Sequence, residues 1–121
     1  MSYENLVIIV GNVGKMFELK TTQSDKKVLA FAVATNDKYK DANGNYQTTT
    51  EWHDIEAWNR LAEICNEQLR VGDKVYIKGK IVTKVWKDRD GKENYKKVIN
   101  PQHVIFYANG KTAQGDEEIP F

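Results

Sequence analysis

The hydrophobic pattern changes period twice between Thr50 and Trp86, and this restricts the fold more than any other feature of the chain. TEWHDIEAW (Thr50–Trp58) alternates residue by residue, as a strand with two different faces does. From Asn59 the spacing becomes helical, with Leu61, Ile64, Cys65 and Leu69 on one side, Asn59 placed as an N-cap and Gly72 as a stop. DKVYIKGKIVTKVW (Asp73–Trp86) then returns to alternation, with Gly79 marking a bend.

Three further segments complete the pattern. NLVIIVGNVG (Asn5–Gly14) reads as a β-branched strand closed by glycines, and KKVLAFAVATN (Lys26–Asn36) as a strand apolar on both faces. NYKKVINPQHVIFY (Asn94–Tyr107) is the last strand, its Pro101 tolerated only at an edge, a bulge or a break. Asn43-Gly44 and Asp90-Gly91 are hairpin-turn dipeptides. Five strands with one short helix between the third and fourth is the order of an OB-fold, a five-stranded Greek-key barrel, so the expected class is all-β. At 121 residues one domain is expected, spanning 1–108, followed by a flexible linker at 109–115 and an acidic tip at 116–121.

The net charge of +1 conceals an asymmetry. Removing Asp116, Glu117 and Glu118 from the 17 acidic residues leaves 14 against 18 basic ones, so a mildly basic body trails an acidic end. Such a body suits a polyanion partner. Cys65 is the only cysteine, which excludes an intrachain disulfide and fits a reducing compartment. NLVIIV is too short to cross a bilayer and no signal pattern precedes it; a cytoplasmic location is expected.

Alternation places His53, Ile55 and Ala57 on the core face of the third strand and Trp52, Asp54, Glu56 and Trp58 on a wet face. In the fourth strand, Val75, Ile77, Ile81 and Val85 share the core face, and Tyr76, Lys78, Lys80, Lys84 and Trp86 the other. A single tryptophan on a charged face is more often a lid or an oligomer contact. Three of them beside lysines suit stacking on bases with phosphate neutralisation. The charged hairpins add Lys38, Lys40, Lys87, Arg89, Lys92, Lys96 and Lys97, with Tyr39 a further stacking candidate.

These stretches resemble the bacterial single-stranded DNA-binding proteins. NLVIIVGNVG is similar to that family's first strand, TEWHDIEAWNRLAE to its third strand and helix, DKVYIKGKIVTKVWKDRDG to its fourth strand and long hairpin, and the terminal GDEEIPF to its acidic tip. The resemblance implies a homotetramer that wraps single-stranded DNA with little sequence preference during replication, recombination and repair. It implies stacking by Tyr39, Trp52, Trp58 and Trp86, and cationic contacts by Lys20, Arg60, Arg70, Lys84 and Lys87. Lys38, Lys40, Lys78, Lys80, Arg89 and Lys92 join these as candidate phosphate contacts. His53 and Tyr76 match positions used between subunits, although alternation alone makes His53 a core histidine in need of a hydrogen-bond partner.

The tip, Asp116, Glu117, Glu118, Ile119, Pro120 and Phe121, is expected to be captured by genome-maintenance proteins, with Phe121 in an apolar pocket and the carboxylates steering. The connector ANGKTAQG is short for the family, as in a phage or mobile-element version, and Asp54 and Glu56 stand where basic or neutral residues are commoner. No cofactor, metal site or catalytic constellation is expected: His53 and His103 lack ligand spacing with Cys65, and Asp54 with Glu56 lacks an accompanying base. A protein-binding scaffold is the alternative reading.

Overall fold

The computed structural model describes residues 3–107 and the backbone of Glu117–Pro120. The linker at 109–115, and Asp116 and Phe121 of the tip, lie outside the described residues. The chain runs β1 (Val7–Met16), β2 (Lys20–Thr21), β3 (Lys27–Lys40), β4 (Tyr46–Trp58), α1 (Asn59–Gln68), β5 (Lys74–Lys87), β6 (Glu93–Tyr107) and β7 (Glu117–Pro120). The five expected strands are β1, β3, β4, β5 and β6; β2 and β7 are additions too short to give a period in the sequence.

Hydrogen bonding follows the order β1–β5–β6–β4–β3, and β3 returns to β1, closing a five-stranded barrel. All these pairs are antiparallel except β4 with β6, which meet at Ile55 and Ile99. Closure requires β1 to serve two neighbours. It pairs with β5 from Val7 to Asn12 and with β3 from Asn12 to Met16, with an irregularity between Val13 and Lys15 where it swings across. Inward residues from every stave fill the barrel: Val13, Leu29, Phe31, Val33, Ile55, Val75, Ile77 and Val104 are all at most 1% exposed. Helix α1 plugs one end with Leu61, Ala62 and Cys65. This is the OB-fold that the order of periods predicts.

The helix begins differently from expectation. Trp58 occupies the N-cap, with no side-chain cap, and Asn59 is the first helical residue, at φ 55°. Strand β4 enters α1 without a loop, and the abrupt change of direction needs a left-handed residue, which asparagine tolerates better than most. At the other end the helix stops at Gln68, before Gly72; Arg70 Nη1 donates to the carbonyls of Glu67 (3.0 Å) and Leu69 (2.8 Å) and satisfies them.

Two strand pairs outgrow the barrel. The β3–β4 ladder continues to Lys40 and Tyr46, and the β5–β6 ladder to Lys87 and Glu93. The β5–β6 pair changes character at Gly79, where the register slips. A Cβ there would strike the Asn100 carbonyl and the Pro101 backbone, so only glycine permits this approach. Pro101 thus sits at the bulge. Just beyond it Val98 and Ile99 of β6 are still buried against the barrel, and past them the pair continues as a ribbon over the outer wall. Ile81 and Val85 of β5, expected on the core face, are exposed on this stretch.

Both arms end in the same device. Asp41 Oδ1 accepts from the N–H groups of Asn43 (2.9 Å) and Asn45 (3.0 Å), and its Oδ2 from Gln47 Nε2 (3.1 Å). Asp88 accepts likewise from the N–H groups of Asp90 (2.9 Å) and Lys92 (3.0 Å) and from Asn94 Nδ2 (3.3 Å). These bonds favour the ionised carboxylate and lower both acids' pKa, led by the Asn45 N–H for Asp41 and the Lys92 N–H for Asp88.

Where a free tail is expected, the backbone of Glu117–Pro120 lies antiparallel along His103–Phe106. Strand β6 meets β4 only at Ile99, so its edge beyond Pro101 offers unpaired backbone groups to an added strand.

Candidate nucleic-acid interface

Paired residues on antiparallel strands share a face, so the β3–β4 register defines the outer wall of the barrel. Trp52 stands opposite Ala34, Asp54 opposite Ala32, Glu56 opposite Ala30 and Trp58 opposite Val28. The result is a trough: alanines form its floor on β3, and large or charged residues rise on β4. Trp52 is 59% exposed. Its indole reaches across to β1, where a Cβ on Gly14 would fall on ring atoms Cζ3 and Cη2. The ring therefore rests on bare backbone, held on one side and open on the other.

The remaining candidates occupy several places. Trp86 is 46% exposed and shares a shallow cleft with Lys84, Val85 and Lys96. Tyr39 is exposed on the β3–β4 arm between Lys38 and Lys40, and the Lys40 ammonium lies 5.5 Å from the centroid of Tyr46. Trp58, expected to be open, is half-buried in a recess with Thr22, Ser24, Lys26, Asn59 and Asn100, because the β2–β3 turn rises beside it. Lys87, Arg89 and Lys92 are exposed at the end of the β5–β6 arm, and Arg60 at the start of α1.

Glu56 and Lys78 are placed differently from the alternation reading, and Arg70 differently from what the resemblance implies. Glu56 is 8% exposed rather than facing water, because the β5–β6 ribbon curls over the trough and Lys84 Nζ donates to Glu56 Oε2 at 2.6 Å. Lys78 pairs with Ile8 and His103, on the outer face of the β1–β5–β6 sheet, and does not join the tryptophans; Lys80 is exposed just past the Gly79 slip. Arg70, its guanidinium engaged at the helix end, is turned from the trough to the carbonyls it caps.

His53 is half-buried, and its Nε2 lies 2.9 Å from Thr35 Oγ1, the partner that its position demands. Tyr76 pairs with Val10 on one side and Ile105 on the other. Beside it Leu6, Ile8 and Val10 are exposed and form an apolar strip away from the trough.

Phe17 escapes the alternation reading. It lies between β1 and β2, half-exposed, with Lys15 Nζ 4.9 Å from its ring centroid. With Lys20, Val28, Ala30, Glu56, Lys84 and Lys96 it lines a cleft of about 250 Å3 that continues the trough. The signal available was local: GKMFELK sets an aromatic residue among lysines with no strand period around it.

Among the described residues, no group of three or more His, Cys, Asp or Glu side chains could hold a metal ion, and no helix is long and apolar enough to cross a membrane.

Comparison with known proteins agrees with this fold. The chain is 41% identical over 92 residues to single-stranded DNA-binding protein 1 of Chlorobaculum tepidum, a match covering 75% of this chain and 57% of that protein; the chain thus spans little more than half the length of this curated relative. The Plasmodium falciparum SSB complex with ssDNA superposes with a TM-score of 0.77 at 25% identity, covering 88% of this chain and 97% of that one. A deletion mutant of the single-stranded DNA binding protein from Thermus aquaticus shares the fold, with a TM-score of 0.73 at 17% identity over 96% of this chain and 54% of that one. The model of the single-strand binding protein family matches residues 4–107, nearly the whole described barrel, and the chain belongs to that family.

Proposed function

We propose that this chain binds single-stranded DNA without sequence preference, laying unpaired bases against Trp52, Trp86, Tyr39 and the partly covered Trp58 while lysines meet the phosphates. The observation that carries this reading is the Trp52 indole, supported on Gly14 and open above an alanine-floored trough. An exposed indole over small residues offers a flat apolar surface, and stacking contributes about 1–3 kcal/mol per base. That exceeds the ~0–1 kcal/mol of an isolated surface ion pair, so rings rather than cations set the affinity. Lys20, Lys84 and Lys87, with Lys38, Lys40, Arg89 and Lys92 on the arms, supply sequence-independent attraction.

The protein works as a homo-oligomer, a tetramer in this reading. The exposed strip of Leu6, Ile8 and Val10 beside Tyr76 supports self-association through the sheet face opposite the trough, with His53 a further candidate contact. The acidic tip from Asp116 to Phe121 recruits proteins of replication, recombination and repair. Burial of Ile119 and Phe121 in a partner would contribute about 1.5–3 kcal/mol each, less the cost of ordering the segment.

A titration with poly(dT), followed by tryptophan fluorescence and by the mass of the complex, tests the reading. Strong quenching is expected, with affinity falling with salt at a slope of about −0.7 per phosphate neutralised. A folded protein that shows no quenching at low salt refutes it.

A further inference from the structure

The trough contains two carboxylates where a polyanion would pass, and each is paired with a lysine of the overlying ribbon. Glu56 Oε2 accepts from Lys84 Nζ at 2.6 Å, and Asp54 Oδ2 lies 3.4 Å from Lys96 Nζ. Lys84 and Lys96 stand directly opposite each other on the β5–β6 ribbon, whereas Asp54 and Glu56 are neighbours on one face of β4. The two ion pairs are therefore parallel rungs between the ribbon and the barrel wall. The carboxylate of the inner rung is nearly buried, and its lysine is half exposed. The outer rung is half exposed at both ends.

We propose that Glu56 and Asp54 are built-in counter-ions that occupy Lys84 and Lys96 in place of phosphate and so restrain the affinity for single-stranded DNA. The inference rests on the proposed function and deepens it, by naming which cations are held back and by what. An ammonium has three donors. With one donor committed to a carboxylate, each lysine keeps free N–H groups for a phosphate, but the net charge it presents is close to zero. A phosphate arriving at Lys84 or Lys96 also meets the fixed negative charge beneath. Binding at the two rungs then releases fewer condensed counter-ions than the lysine count implies. Stacking is left to carry the affinity, and the strand can leave quickly.

The test uses the full chain with Glu56→Gln, Asp54→Asn and both together, and a fluorescently labelled oligo(dT) read by anisotropy across a tenfold range of salt. Each substitution keeps the size and one acceptor oxygen for the lysine while removing the charge. Tighter binding at low salt is expected, with Glu56→Gln giving more than Asp54→Asn because its pair is shorter and better shielded. Each freed lysine should steepen the slope by about 0.7, so the advantage over wild type shrinks about fivefold across that salt range. In a Lys84→Gln background Glu56→Gln should no longer steepen the salt slope, because no lysine remains there to be freed. Asp54→Asn, at an exposed pair, keeps the test decisive should Glu56→Gln impair folding.

Unchanged slopes in both variants overturn the proposal, as does weaker binding, which would make the carboxylates supports that aim the lysines rather than restraints. A change in melting temperature alone, with affinity and slope unmoved, assigns the pairs to stability and also overturns it. Wild type that fails to bind oligo(dT) is a different result, and refutes the proposed function instead.

Discussion

Replacing Gly14 with alanine tests the platform without touching an aromatic residue. Gly14 lies in β1 with no positive φ, so the backbone accepts alanine, and the three atoms nearest the added methyl all belong to the Trp52 ring. The ring must swing outward. Its stability cost has an upper limit: with 59% of Trp52 exposed, about 100 Å2 of a large indole is covered, worth about 2.5 kcal/mol at ~25 cal/mol per Å2. A tryptophan that pivots keeps part of that contact, and alanine returns about 0.4–1 kcal/mol by restricting the unfolded chain. Net destabilisation should stay below about 2 kcal/mol, a shift of several degrees at most. Binding should suffer more, since losing one stacking platform removes about 1–3 kcal/mol, or about 5- to 150-fold in Kd. Anisotropy with labelled oligo(dT) measures the binding, and a thermal melt the stability. In a Trp52→Ala background, Gly14→Ala should no longer weaken either. If it destabilises that background as much as wild type, the methyl is striking backbone and the ring was never supported there.

Trp86→Ala should weaken oligo(dT) binding more than Lys87→Ala at the same salt; the reverse order in a parallel titration would mean that phosphate contacts dominate on the β5–β6 arm. Asp41 and Asp88 have folded pKa values below the ordinary 3.8, so their turn contacts are fully present above that value and are lost as the pH falls through the lower folded one. Amide exchange by NMR should show protection of Asn43, Asn45, Asp90 and Lys92 persisting down to that range and disappearing below it, and Asp41→Ala should remove it from the first arm alone. Burial pushes the Cys65 thiol up to about 12, so it should not react with a thiol reagent at mildly alkaline pH until the barrel opens; immediate labelling of the native protein would contradict its placement beneath α1.

The barrel was legible because its determinants are local. The switch from period 2 to helical spacing at Asn59 and back at Asp73 located α1 between the right strands, and Pro101 announced the bulge that it shares with Gly79. Trp52 and Trp86 were legible as outward-facing for the same reason. What alternation could not supply is which outward faces are later covered. Glu56 faces outward on β4 and is still buried, since a ribbon about thirty residues further along the chain folds over it. Ile81 and Val85 keep the right parity for a core but lie past the register slip at Gly79, where that face of β5 is open. Asn59 has an N-cap's identity, yet the missing loop between β4 and α1 moved the cap to Trp58. Phe17 sits outside any period, and only proximity to Lys20, Lys84 and Lys96 reveals its place.

The Gly79–Pro101 bulge makes one pair of strands do two mechanical jobs. On one side the pair is clamped between β1 and the core; on the other Val98 and Ile99 still meet the barrel, Lys84 and Lys96 pair with its wall, and the Lys87–Glu93 end projects beyond. Length can therefore be added or removed at the Asp88–Lys92 tip in two-residue steps without disturbing any side chain inside the barrel. The span over which a bound strand is gripped becomes a dimension of this molecule that can vary independently of its stability.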